Sequence, residues 1–247
     1  MRDDPSTNIR LADVHHTLGS RRFHFDCGIN EEQVTAVVGP SGSGKSTLLN
    51  LISGFERPDS GRILIDGRDV TELAPAERPI SLVFQDNNLF SHLDLFTNIG
   101  LGIHPALRLT PADRNAISDA LVRVGLEGYE RRLPGSLSGG ERQRAAFARA
   151  LVRHRPVLLL DEPFAALDPG LRAAMVELLV DLHAETRATI LLVTHDPRDV
   201  HRLAGHVLFI EDGHVLIDAQ KDVFLTRGDL PAVGNFLGTP PFAPQSP

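Results

Sequence analysis

The sequence predicts an α/β fold: a mostly parallel sheet core, an N-terminal antiparallel β part and an inserted α-helical subdomain. Three observations predict it. Short apolar runs, VLLLD at 157–161 and TILLVT at 189–194, alternate with the helix-patterned segments LRAAMVELLVDLHAET at 171–186 and PRDVHRLA at 197–204. Such alternation argues for parallel strands joined by crossover helices. Strand-patterned segments crowd residues 9–39, and helical periodicity takes over from about 92 to 153, between strands on either side.

In chain order, IRLADV (9–14), FHFDCGI (23–29) and QVTAVVG (33–39) alternate or run apolar between turn signals and are expected as strands. KSTLLNLIS (45–53) follows a Gly-rich turn and is expected as a helix, with Gly54 as its C-cap. GRILIDG (61–67) is expected as a hairpin strand and ISLVFQ (80–85) as a buried one. PADRNAISDALVRVG (111–125) should start from Thr110 as N-cap, with Pro111 at the first helical position, where its missing N–H is not needed. HVLFIEDGHVLID (206–218) is expected as a hairpin turning at Asp212-Gly213. Residues 1–238 are expected to form one domain, with the helical subdomain inserted at about 88–153, and 239–247 a Pro-rich tail.

With 247 residues, 42% of them hydrophobic, the chain can build a sizeable core. A net charge of −7 argues against a broad nucleic-acid-binding face. The single cysteine, Cys27, excludes an intrachain disulfide and a Cys-rich zinc site, and fits a reducing compartment. Its place in FHFDCGI suits a buried strand residue. The start, MRDDPSTN, carries no apolar h-region, and the apolar runs are strand-sized. Work at a membrane would therefore require another chain to hold this one there.

GPSGSGKST, residues 39–47, fits G-x-x-x-x-G-K-[ST] between an apolar strand and a helix, the context a phosphate loop requires. Gly39, Ser41, Gly42, Ser43 and Gly44 bring backbone N–H groups to phosphate, Pro40 shapes the same loop without a donor, and Thr47 lies in the first helical turn. Lys45 should contact the β- and γ-phosphates, and the Ser46 hydroxyl should ligate Mg²⁺. Lys45 and Lys221 are the only lysines among 25 basic residues, so Lys45 stands against a strong arginine bias. VLLLDE places Asp161 and Glu162 at the carboxyl end of a buried strand. Asp161 is expected to hold Mg²⁺ and Glu162 to polarise an attacking water. Alone, an Asp-Glu pair there could merely begin a loop with helix-capping charge.

LSGGERQR, from Leu137, opens a basic helix with Ser138, Gly139 and Gly140, a second anion-binding turn. A second such turn beside a phosphate loop is redundant unless it serves another molecule's nucleotide. With these motifs in this order, the chain resembles the ATP-binding cassette (ABC) ATPases. The resemblance implies the P-loop ABC ATPase fold, ATP and Mg²⁺ as ligands, and a head-to-tail homodimer in which each ATP meets the other copy's Ser138 and Gly140. It assigns Gln85 as the Q-loop glutamine, a catalytic and Mg²⁺-contacting residue. Asp168, in AALD, becomes the D-loop aspartate and His195, in VTHD, the switch histidine on the γ-phosphate. His195 alone could equally be a strand-end histidine bound to backbone. Family members stack adenine on an aromatic near the first strand; VHHTLGSRRF (14–23) has no Tyr or Trp, and His16 is the expected substitute. Ala165 stands where the family often has Ser.

The segment RPISLVFQDNNLFSHLDLFTNIGLG, residues 78–102, resembles the ATPase subunits of bacterial thiamine importers, as does LNLISGFERPDSG before it. That resemblance implies uptake of thiamine and its phosphates, a polytopic membrane permease as partner and a periplasmic binding protein acting indirectly. It also implies a place on the cytoplasmic face of the bacterial inner membrane. Leu89, Phe90, Leu93, Leu95 and Phe96 are expected to divide between subdomain core and the groove that receives the permease. Iron, sulfate and polyamine uptake are alternatives. A soluble, non-transport ABC ATPase is a further one, opposed by the lack of heptads or Cys pairs between Lys45 and Ser138. A nucleotide-binding module without catalysis is opposed by Glu162 and His195.

Overall fold

The computed structural model describes residues 7–84, 88–165 and 167–238. Strands β1 (Thr7–Leu18), β2 (Arg21–Asn30) and β3 (Val34–Val38) lead into helix α1 (Lys45–Ser53), followed by β4 (Ser60–Ile65), β5 (Arg68–Asp69) and β6 (Ile80–Val83). Helices α2 (Leu95–Ile103), α3 (Pro111–Arg123) and α4 (Gly139–Leu151) come next. The chain then runs through β7 (Val157–Asp161), α5 (Pro169–Thr186), β8 (Thr189–Val193), α6 (Pro197–Leu203), β9 (His206–Glu211), β10 (His214–Gln220), α7 (Lys221–Leu225) and α8 (Pro231–Leu237). Two units emerge: the chain up to Pro79 together with that from Ala188 onward, and Ile80–Arg187.

In the first unit, β3 pairs parallel with both β8 and β9. Every residue of β3 and β8 is buried, which is why both read as mainly apolar runs, with Thr35 and Thr189 the only polar residues in them. Each Val, Ile or Leu of the two strands contributes roughly 1.5–3 kcal/mol by leaving water. β9 and β10 form the expected hairpin, with Asp212 at φ 46° and Gly213 at φ 80°, the left-handed pair a two-residue turn needs. The N-terminal strands are antiparallel: β1 pairs with β2 and β4, and β4 with β5. Gly54 ends α1 in the left-handed region, as expected. The Cys27 thiol is buried, and burial pushes it up to about 12, so it stays protonated.

Two features of this unit escaped the sequence pattern. β1 carries a one-residue bulge between Leu11 and Val14, with Asp13 at φ 50°. A bulge resets the alternation of faces. Ile9 and Leu11 point inward before it, Val14 and His16 after it, and His15 is turned outward. The C-terminal helices α7 and α8 were also not anticipated. They set Phe224 and Phe236 against Phe209 of β9, with ring centroids 6.1 and 6.5 Å from it, and Val233 buries in the same cluster.

Arg78 is a third surprise, a fully buried arginine. Its Nη1 donates to the carbonyls of Leu51 and Ile52 at 2.7 and 2.8 Å, its Nε to Leu73 and its Nη2 to Thr71, both at 3.0 Å. Leu51 and Ile52 lie in the last turn of α1, where carbonyls lack helical partners and a cation complements the dipole. Desolvation lowers the Arg78 pKa from its usual value, yet four carbonyls compensate the charge.

In the second unit, β6 and β7 pair parallel from Ile80↔Val157 to Val83↔Leu160. Between them in sequence, α2, α3 and α4 pack on one another around Leu95, Ile99, Ile117, Leu121 and Phe147, all buried. Thr110 and Asp113 form a reciprocal cap at the start of α3, and Pro111 takes the first helical position. Buried Asn98 ties down the segment ahead of α2. Its Nδ2 donates to the carbonyls of Phe90 and Leu93, and its Oδ1 accepts from the Phe90 N–H at 2.8 Å. Phe90 is 48% exposed while Leu95 is buried. Among the described residues, no helix is long and apolar enough to cross a membrane.

Arg78→Met should destabilise the protein by about 3 kcal/mol or more, because each buried carbonyl left unpaired costs about 1–3 kcal/mol. Arg78→Lys should recover only part, since one ammonium cannot reach all four acceptors. Urea unfolding midpoints of the three proteins check both statements.

Candidate functional site

The phosphate loop leaves the carboxyl end of β3 and closes on its own lysine. Lys45, only 9% exposed, donates from Nζ to the carbonyls of Gly39 at 2.9 Å and Pro40 at 2.8 Å. Gly39 sits at φ 144°, and a Cβ there would stand 2.0 Å from the Ile210 carbonyl oxygen, so no side chain fits. The loop is braced from outside. Gly213 N–H donates to the Ser43 carbonyl at 2.9 Å, and Arg21 Nη1 to that of Gly42 at 2.8 Å. Inside, the Ser43 hydroxyl is buried without a hydrogen-bond partner. Ser46 is exposed and Thr47 buried, while Ser41 and Pro40 lie at the surface. α1 opens from Gly44 with no side-chain cap and no acidic residue in its first turn. Its amide donors and positive dipole end are thus left for an anion. An orphaned hydroxyl, a buried ammonium and an uncapped helix start suit a polyphosphate.

His195 belongs to the same unit and the same edge. It follows β8, whose Val193 pairs with Val37 of β3, so the loop and His195 leave the carboxyl ends of neighbouring parallel strands. His195 is exposed. Thr194 before it donates its hydroxyl to buried Asp199, and the Asp196 side chain caps α6 through the Arg198 N–H. His16, the expected adenine platform, is 8% exposed because of the β1 bulge. Its Nδ1 meets the Arg57 carbonyl at 3.0 Å, and its Nε2 lies 2.9 Å from the Glu56 carboxylate.

The second unit holds the carboxylates and the signature turn. Asp161 ends β7 and Glu162 follows it, both half-buried. Glu162 is at φ 47°, a left-handed conformation that costs a non-glycine residue roughly 1–3 kcal/mol and persists only where surroundings enforce it. Two donors do so: Gln143 Nε2 and the Ala165 N–H reach the Glu162 carbonyl at 3.3 and 3.2 Å. Gln143 is buried on α4, so the signature helix itself holds the turn that aims Glu162. Sequence reasoning missed Gln143; the one signal was an uncharged amide within the charged GGERQR run.

Ser138 caps α4 by accepting from the Glu141 N–H at 3.2 Å, and its own N–H donates to the Glu141 carboxylate at 2.7 Å. Those bonds from Ser138 hold the Glu141 carboxyl below its usual range. Gly139 is open around its Cα, whereas a Cβ on Gly140 would come within 3.1–3.2 Å of Leu171 and Leu167. The signature turn therefore packs beside the start of α5, where Asp168 accepts from the Leu171 N–H at 3.0 Å. Gln85 lies outside the described residues.

The family model described as "ABC transporter" matches residues 23–165. A thiamine import ATP-binding protein of Rhizobium meliloti is 54% identical over 233 residues, covering 94% of this chain and 98% of the relative. One from Chelativorans sp. is also 54% identical, covering 89% of each chain. Among solved structures, the ATP-binding cassette MJ0796, a dimer in a post-hydrolysis state bound to ADP and Pi, matches with a TM-score of 0.78 at 30% identity. It covers 86% of this chain and 98% of the other. A nucleotide-free cassette from an ABC transporter has the same fold at a TM-score of 0.81, over 92% of this chain and 97% of that one.

Gly39→Ala should force the loop away from Ile210 and weaken ATP binding at least about tenfold, as misplacement of a positioning group by an ångström does. Titration with a fluorescent ATP analogue, alongside circular dichroism for folding, checks it.

Proposed function

The chain belongs to the ABC transporter family, and on that premise we propose that it is the ATP-hydrolysing, energy-coupling subunit of a thiamine importer. The observation that carries the nucleotide role is the loop curled around Lys45 at the uncapped start of α1. The substrate rests on the thiamine import relatives and on the thiamine-importer character of residues 78–102.

The roles of the side chains follow from their chemistry. The N–H groups of Gly42, Ser43, Gly44, Lys45 and Ser46, with the Lys45 ammonium, bind the β- and γ-phosphates. Ser46, Gln85 and Asp161 offer the hard oxygen donors that Mg²⁺ takes, and the bound ion supplies neutralisation of phosphate charge. Glu162 accepts a proton from, or polarises, the water that attacks the γ-phosphate. His195 donates a hydrogen bond to that phosphate. Ser138, Gly139 and Gly140 face the nucleotide of a second copy, so two chains close two sites, and Asp168 lies at the same interface. Hydrolysis removes the bridging phosphate and the pair opens.

The thiamine import relatives support a subunit that reaches the inner membrane through a polytopic permease. The exposed Phe90 and the segment that Asn98 pins are the assigned docking surface. Thiamine itself meets the permease and a periplasmic receptor rather than this chain.

Glu162→Gln should retain ATP binding and lose hydrolysis by about 10²–10⁴-fold, the usual worth of a general base. A phosphate-release assay reads this directly, and near-normal turnover would remove Glu162 from that role. In liposomes carrying the whole complex, thiamine-loaded receptor should raise ATPase activity and thiamine should accumulate inside. Stimulation by iron, sulfate or polyamine receptors, with no response to thiamine, would overturn the substrate and leave the ATPase reading standing.

A further inference from the structure

We propose that Asp13, His15 and His24 form a binding site for a divalent transition-metal ion of the Zn²⁺ type, apart from the nucleotide machinery. His15 and His24 face each other directly across the β1–β2 pair. Their rings stack, with centroids 4.3 Å apart and planes 8° from parallel. Both Nε2 atoms converge on one oxygen: His15 Nε2 lies 3.1 Å and His24 Nε2 2.9 Å from Asp13 Oδ1. The three ligand atoms all lie within 4.8 Å of one another.

The β1 bulge is what assembles this trio. By resetting the alternation after Leu11, it turns His15 outward to meet His24, and it holds Asp13 at φ 50° with its carboxylate on the same side. Bulges commonly serve to re-aim a side chain in this way. His214, paired with His24 where β10 joins β2, stands edge-on to the His24 ring at 6.1 Å, and its own Nδ1 is engaged with the Asp212 carbonyl. It walls one side of the site.

The dimensions suit an ion. Ligands about 2.0–2.1 Å from a tetrahedral Zn²⁺ stand about 3.3 Å from each other. The observed Nε2–Oδ1 separations of 2.9 and 3.1 Å widen by a few tenths of an ångström, and the near-parallel rings swing out of their stack so that both in-plane lone pairs meet one ion. Two imidazoles and one carboxylate select Zn²⁺, Ni²⁺ or Cu²⁺ over Mg²⁺ and Ca²⁺, which prefer all-oxygen shells. The side chains are 38–76% exposed, so the ion has an entry path and water completes its coordination. The site also touches the phosphate loop through one strand. His24 neighbours Phe23, whose ring packs against Gly44 closely enough that a Cβ there would come within 2.9 Å.

The test uses the full chain without a histidine tag, freed of nucleotide and metal by chelation. Calorimetric titration with Zn²⁺ should find a site whose affinity falls at least about tenfold in His24→Ala and in Asp13→Asn, since even groups that only support a metal ligand are worth that much. His201→Ala, on the surface of α6, should bind as the wild type does. Co²⁺ should give visible absorption with the wild type and lose it in His24→Ala. Zn²⁺ should raise the melting temperature of the wild type more than that of Asp13→Asn at the same concentration. Equal Zn²⁺ affinity in wild type and both variants, or Zn²⁺ binding that leaves the His15 and His24 imidazole resonances unmoved, would overturn the proposal.

Discussion

The Lys45 ammonium, donating to the Gly39 and Pro40 carbonyls, closes the phosphate loop into a ring around a positive charge. Much of the first unit serves to keep that ring in shape. The β9–β10 turn meets it through Gly213, and Ile210 presses so near Gly39 that only a bare Cα is tolerated. Arg21 reaches it from β2. At the far end of α1, the buried Arg78 takes the Leu51 and Ile52 carbonyls of the last turn. One helix therefore has its positive end left open and its negative end neutralised from within.

The two helix starts named by the motifs differ in a way that motif matching does not reveal. α1 begins uncapped and without an acid, so its amides are available. α4 begins with a reciprocal Ser138–Glu141 cap, which fixes its first turn and leaves Gly139 open while Gly140 packs against Leu167 and Leu171. The former is built to grip phosphate deeply. The latter is a rigid, finished surface suited to pressing on an anion held by something else. Gln143, one turn along α4, carries that rigidity into the strained backbone of Glu162.

How far these features could be read in advance depended on whether the cause was local. Thr110-Pro111, Gly54 and Asp212-Gly213 act through their own backbone preferences, and each lies where the pattern put it. The parallel strands were legible because burial on both faces favours mainly apolar runs. His16 was harder. Strict alternation from Ile9 sends residue 16 outward, and only a bulge whose register is fixed by β2 and β4 reverses that. Arg78 was opaque because charge normally signals surface; two of its four acceptors, Leu51 and Ile52, come from a helix more than 25 residues away. α7 and α8 are short and owe their existence to packing on Phe209 rather than to propensity. In the site, glycines, Lys45 and the Asp161-Glu162 pair could be recognised by spacing, whereas Gln143 acts through a backbone carbonyl and has no spacing rule.

Cys27 is the chain's sole thiol, sealed within β2 and held protonated by its surroundings. Thiol-reactive probes need thiolate and access, and it offers neither. The native protein is therefore a silent background for site-directed labelling. A cysteine introduced beside the signature turn or on the exposed Phe90 segment would be the one reactive position, without first removing anything. Spin labels or fluorophores placed there could follow the approach and parting of two copies in real time.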